Sequence, residues 1–223
     1  MPTAWRSAML AYVAPFAVFI GVMAVERVLL PHSQLLYPIR FLIVSAVVVF
    51  VSWPYLQLRP QQPLASIAIG LAVFLIWTAP DRLFGYRHFW LFENAITGSV
   101  STSIPAEMQA RFWFLALRTL GSVALVPIIE ELFWRGWLMR WLIDPHFEKV
   151  PLGTYAAAAF WITAVLFASE HGPYWEVGLI AGVVFNWWMI RTKSLADCIL
   201  AHAVTNALLA AYVMAAGQWQ YWL

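Results

Sequence analysis

Three short polar clusters interrupt a largely apolar chain, and their residue types are those a hydrolytic site needs. The first is Glu130-Glu131 followed by Arg135, inside the run Val126 to Arg135. Apart from Arg118, the chain from Phe112 to Ile129 is uncharged and mostly apolar, and Gly136 to Met139 continues it. An ionised carboxylate in hydrocarbon costs at least a few kcal/mol, so such a residue normally faces a bundle interior or a wet cavity. On a helix Glu131 and Arg135 are four apart and share a face, with the acid on the favourable N-terminal side. Glu130 then points about 100° round the helix, with no partner in its own segment. A buried carboxyl without a partner suits proton transfer. Pro127, three residues earlier, removes a backbone donor and predicts a kink beside the acid.

The second cluster is Phe167-Ala168-Ser169-Glu170-His171, where His171 falls on the face of Phe167. The third is His202-Ala203-Val204-Thr205-Asn206, where His202 and Asn206 again share a face. Peptide hydrolysis needs a water deprotonated as it attacks and an oxyanion stabilised as it forms. Glu130 can meet the first need, with His171 holding the same water. His202 and Asn206 can meet the second. Taken singly, each cluster reads equally well as a packing histidine or a structural ion pair. Three on three successive helices favour a site.

Other chemistries find little support. There is no Gly-x-Ser-x-Gly turn, no Gly-rich phosphate loop and no His-Glu-x-x-His helix. The single cysteine, Cys198, lies in an apolar stretch that would not activate a thiolate and reads as a packing residue. Glu26, Arg27 and Arg118 lie near expected span ends and read as structural, able to snorkel. Glu176 and Asp197 are read the same way, and Trp134, Trp137 and Trp141 as packing and interface residues.

The elements that must position these residues are membrane helices. Of 223 residues 63% are hydrophobic and only 11% charged, against about 25% charged in soluble domains. Mean hydropathy is +0.74. The chain therefore reads as an all-α, polytopic transmembrane bundle of seven to eight spans, one domain over 1–223 with its motif-bearing core at about 112–216. The net charge of +2 and the absence of a Lys/Arg run exclude nucleic acid as an expected partner. Expected spans are Met9 to Leu30, Leu36 to Leu56, Leu64 to Ala79, Phe112 to Leu142, Thr154 to Glu170, Tyr174 to Ile190 and Ser194 to Ala216. Pro31-His32-Ser33 reads as a turn, Arg59 to Pro63 as a polar loop and Asp144 to Gly153 as a connection. Between Pro80 and Ala110, Arg82 to Phe92 reads as an interfacial helix and Gly98 to Ser103 as a loop. The tail Gln218 to Trp222 suits a membrane interface. The first apolar run lacks a cleavage region and reads as a retained span.

With seven spans, Arg6, Arg59, Arg140, Lys149, Arg191 and Lys193 fall on the N-terminal side, and Arg82, Arg87 and Arg111 on the other. The balance favours a cytoplasmic N-terminus; an extra span within Pro80 to Ala110 would invert the later helices. Linear placement puts His171 at the far end of span five, Glu130 near mid-membrane and His202 about one-third into span seven. The three meet only if helices tilt or span five starts deep.

Glu-Glu-x-x-x-Arg, Phe-x-x-x-His and His-x-x-x-Asn, in this order on successive helices, resemble the CAAX protease and bacteriocin-processing family. The likeness runs from Glu130 to Asn206, with no motif position departing from the pattern. It implies a glutamate-type intramembrane endopeptidase with no cofactor and no metal. Glu130 and His171 would activate water, and His202 and Asn206 would form the oxyanion site. Glu131, Arg135 and Phe167 would support them. The contexts Leu166 to His171 and Arg191 to Asn206 further resemble a bacterial subgroup of CAAX prenyl protease-related proteins associated with exosortase sorting systems. The resemblance implies a multi-pass protein of the bacterial inner membrane. Its implied partners are the lipid bilayer, a membrane-anchored protein or peptide substrate and an exosortase-type sorting system. Two rival readings stand beside this one. In the first, Glu130, His171 and His202 form the His₂Glu ligand set of a catalytic zinc. In the second, a non-catalytic partner in protein sorting keeps the pocket as an inert scaffold.

Overall fold

The computed structural model describes residues 2–29, 36–102 and 104–222, with side chains from Ala8 onward. The expected turn at Pro31-His32-Ser33 and the Ser103 end of the expected loop lie outside these residues. Among the described residues the chain is helical, with no strand and a single bridge between Asn94 and Gly98. The main helices are α1 (Pro2–Leu29), α2 (Tyr37–Val47, continued to Tyr55) and α3 (Pro63–Phe84). After the short α4 (Ala106–Gln109) come α5 (Phe112–Trp141), α6 (Ala157–Ser169), α7 (Trp175–Thr192) and α8 (Leu195–Ala216).

Five of these, α1 from Ala8, α2, α3, α5 and α8, are long and apolar enough to cross a membrane. Large apolar side chains such as Leu42, Phe50, Leu64, Leu75 and Phe112 stand exposed on them. That pattern suits a protein whose solvent is hydrocarbon. The remaining pair, α6 and α7, packs as an antiparallel hairpin. At 13 residues α6 is about 20 Å long, well short of a ~30 Å hydrocarbon core. Its C-terminal end therefore need not reach a membrane surface.

Helix α3 packs most extensively on α8. A side chain at Gly70 would run into the Ala201 carbonyl and Val204, so only glycine permits this approach. The Thr205 hydroxyl donates to the Gly70 carbonyl at 3.0 Å. At the other end the Asp197 carboxylate accepts from the Gln61 and Gln62 amides and the Ser66 hydroxyl, at 2.7, 2.8 and 2.8 Å. Asp197 thus has the structural part expected of it. Cys198 is fully buried, also as expected.

The region after α3 differs from expectation. The helix does not end before Pro80 but runs to Phe84, where Gly85 closes it at φ 60° with its N–H on the Asp81 carbonyl. No interfacial helix spans Arg82 to Phe92; the chain turns repeatedly instead. The cause is Arg87, which is buried rather than solvated. It pairs with Glu176 at 2.8 Å and Asp81 at 3.4 Å, donates to the Pro173 carbonyl and stacks 4.2 Å over the Tyr174 ring. Satisfying one buried guanidinium draws the segment inward, away from a helical path. Burial and the neighbouring Glu176 carboxylate push the Tyr86 hydroxyl up to about 12, so it stays a donor to Glu176 at 3.0 Å. The C-terminal Trp219–Tyr221 turn also folds inward: Tyr221 and Trp222 are buried rather than spread at an interface.

Candidate active site

Helix α5 is continuous past Pro127 but not regular. Five-residue spacing of its backbone bonds widens it at Gly121–Leu125 and again at Leu132–Leu138. The segment Val126–Glu131 lies between these two π turns. A proline supplies no N–H and crowds the preceding turn, and a widened turn relieves both. The predicted disturbance at Pro127 is therefore present as a change of helical pitch beside the acid pair.

The pair divides as the spacing predicts. Glu131 and Arg135 are both fully buried and meet at 3.1 Å. Arg135 also donates to Asn186 Oδ1 at 2.9 Å and to the Gly182 carbonyl at 3.4 Å. Its guanidinium lies 4.5 Å from the Phe167 ring centroid. Glu131 has a second partner that the sequence did not show, His202 Nδ1 at 2.9 Å. Since the paired carboxylate is an acceptor, Nδ1 of His202 carries hydrogen and Nε2 is the remaining ring nitrogen. Glu130 has no such company: its Oε2 is buried without a hydrogen-bond partner.

His171 follows α6, and its Nδ1 lies 2.7 Å from the Phe167 carbonyl. A carbonyl only accepts, so Nδ1 again carries the hydrogen, and a neutral ring offers its lone pair at Nε2. The Phe167 ring stands 4.8 Å from the His171 ring and 6.2 Å from the His202 ring. Asn206 donates through Nδ2 to the Ser122 carbonyl at 2.8 Å, tying α8 to the first widened turn of α5. A primary amide has two N–H bonds, so one donor remains.

Glu130, His171, His202 and Asn206 line one cavity of about 300 Å³, together with Phe167. Phe19, Ile20, Met23 and Arg27 of α1 form another wall, and Trp77, Tyr174, Tyr221 and Trp222 line it as well. The structure thus brings together all four residues proposed for catalysis, while Glu131 and Arg135 stand behind them as a buried support. Arg27 lines the cavity, beyond the structural part expected of it. Glu26 instead pairs with Arg40 at 2.7 Å.

Three residues of α7 escaped the sequence reading. Gly178, Gly182 and Asn186 recur at intervals of four and form one face. A Cβ at Gly178 would lie 3.1 Å from His171 Nδ1, and one at Gly182 would lie 3.2 Å from Phe167 Cδ1. Asn186 bridges Arg135 and the Phe160 carbonyl, the latter at 2.8 Å. The small-small-polar repeat within an apolar helix was the available signal. Glu170, another cavity-lining carboxylate, was visible in the second cluster but received no part.

Among the described residues no three His, Cys, Asp or Glu side chains are arranged to hold a metal ion.

Residues 111–208 match the family described as Rce1-like, type II CAAX prenyl endopeptidase Rce1-like. That segment contains all three clusters and begins at the start of α5. No curated protein and no solved structure matches the chain.

Proposed function

We propose that this chain is a glutamate-type intramembrane endopeptidase. The observation that supports it best is the convergence of Glu130, His171, His202 and Asn206, from three separate stretches, on one cavity. In this reading a water held by His171 Nε2 loses a proton to Glu130 as its oxygen attacks the scissile carbonyl. The oxyanion accepts from His202 Nε2–H, in the protonated ring, and from the second Asn206 N–H. Glu131 then balances the imidazolium and fixes its orientation, while Arg135 and Asn186 hold Glu131. Phe167 shields the site from the hairpin side. The whole chain acts as one transmembrane unit with its motif-bearing core at about 112–216.

The substrate is a membrane-anchored protein or peptide, cut near its membrane-embedded or C-terminal part. The likeness of Leu166 to His171 and Arg191 to Asn206 to the exosortase-associated subgroup supports a place in the bacterial inner membrane beside an exosortase-type sorting system. A comparison of membrane-protein C-termini tests this reading, in cells with the native protein and in cells with Glu130→Gln. A defined set of shortened C-termini should be lost with the variant; identical termini in both would contradict it.

A further inference from the structure

The reaction just described requires a second proton transfer. An amide nitrogen departs as an amine only if it receives a proton as the C–N bond breaks. Glu130 takes the proton of the attacking water. His202 and Asn206 face the oxygen. Arg135 is committed to Glu131, Asn186 and the Gly182 carbonyl. Cys198 is fully buried and does not line the cavity.

Glu170 remains. It lines the same cavity as Glu130 and directly precedes His171 at the end of α6. It stands in none of the described ion pairs. The Trp134 indole N–H is its nearby donor. Its exposure differs from that of Glu130 in a useful way. The Oε2 of Glu130 is shut in, whereas Glu170 is exposed. Two carboxyl groups lining one cavity can divide the work, one serving as base and the other as acid.

We infer that Glu170 is a further catalytic residue, the general acid that protonates the leaving amine. This inference rests on the proteolytic reading above. The water O–H proton passes to the Glu130 carboxylate while the water oxygen bonds to the carbonyl carbon. The C–N bond then breaks, its electron pair stays on nitrogen, and the Glu170 carboxyl proton is delivered there. Products are a carboxylic acid and an amine. A proton then moves from Glu130 to Glu170 through a cavity water or His171, restoring the starting state. No other reactant is consumed.

Leaving-group dependence tests the assignment. The probes are a farnesylated Cys-aliphatic-aliphatic-Met peptide and its analogue with sulfur replacing the scissile nitrogen, both offered to the full chain in lipid nanodiscs. A thiolate, with an unperturbed pKa of about 8.5, leaves without needing a proton. Glu170→Gln should slow single-turnover cleavage of the amide by ~10²-fold or more. It should slow the thioester by less than about threefold, since that step needs no general acid. Retained thioester cleavage also reports a folded site. Glu130→Gln should slow both probes. If Glu170→Gln slows both equally, or neither, the assignment to Glu170 is overturned while the proteolytic reading stands. If the native protein cleaves neither probe, the proteolytic reading fails for this substrate class; if Glu130→Gln leaves both unaffected, Glu130 is not the base; in either case this inference fails with it.

Discussion

His202 Nδ1 and Glu131 Oε1 lie 2.9 Å apart, linking α8 to α5 through the second member of the acid pair. The adjacent carboxylates are thereby separated in duty. Glu131 is bound into a chain running from His202 through Arg135 to Asn186 and the Phe160 carbonyl. Glu130 is left to face the cavity.

That relationship makes Glu131 the weak point of the fold. Replacing it with leucine leaves Arg135 as a buried charge short of its counter-ion, which typically costs ~3–5 kcal/mol. Glu131→Leu should lower the melting temperature in detergent sharply and reduce the folded yield. Glu131→Gln, which can still accept from both neighbours, should lose less. Equal melting of native and Glu131→Leu protein would show that the pair holds nothing together.

Gly178 offers a test of His171 that leaves the imidazole in place. A methyl group there would press on the ring at 3.1 Å and force a shift of a few tenths of an ångström. Small displacements of catalytic groups are costly, with ~10²-fold per ångström a usual scale. Gly178→Ala should therefore lower turnover by ~10-fold with little change in melting. Gly21→Ala, where a Cβ meets nothing within 4 Å, should change neither.

The oxyanion pair gives a third prediction. Asn206→Ala removes both the bond to Ser122 and the second N–H. Loss of the first should cost ~1 kcal/mol of stability. Loss of the second should lower turnover by ~10²–10³-fold with little change in substrate binding. His202→Ala should act similarly, and the double variant should lose less than the product of the two, since both serve one oxygen. Melting and single-turnover rate measured on one Asn206→Ala preparation check this. A stability loss with normal turnover per folded molecule would remove Asn206 from the site.

A residue is legible in the sequence when its type is out of place among its neighbours. Ionisable residues inside apolar runs stand out in this way, so Glu130, His171 and His202 were visible before any fold was known. The Glu131–Arg135 pair came from helical spacing alone. The His202–Glu131 and Asn206–Ser122 bonds were not legible, because each joins elements far apart in sequence, and a backbone carbonyl carries no sequence signal. Pro80 misled because a proline ends helices in water more readily than among packed membrane helices. Arg87 misled because an arginine in an interfacial segment reads as solvated until its partners Asp81 and Glu176 are seen around it. The short α6 reads as longer in the sequence because Thr154, Tyr155 and Ala156 carry no helix-stopping residue that would mark its true start at Ala157.

Metal removal separates water chemistry run by a carboxylate from zinc chemistry. The purified protein should carry no stoichiometric zinc and should retain its activity through prolonged exposure to a strong chelator. A zinc enzyme would lose its Lewis acid and its activated water together. About one zinc per chain, with activity lost on stripping and restored by zinc, would replace the glutamate reading with the metal one.

The central claim is that Glu130 deprotonates the attacking water, and Glu130→Gln tests it most directly. The substitution keeps the side-chain shape and removes the base, in a residue that holds no neighbour in place through its buried Oε2. The measurement is single-turnover cleavage of the farnesylated peptide by native and variant protein in nanodiscs, normalised to folded protein by melting. The account predicts unchanged melting and a rate lower by ~10²-fold or more. A Glu130→Gln protein that cleaves at close to the native rate would contradict it.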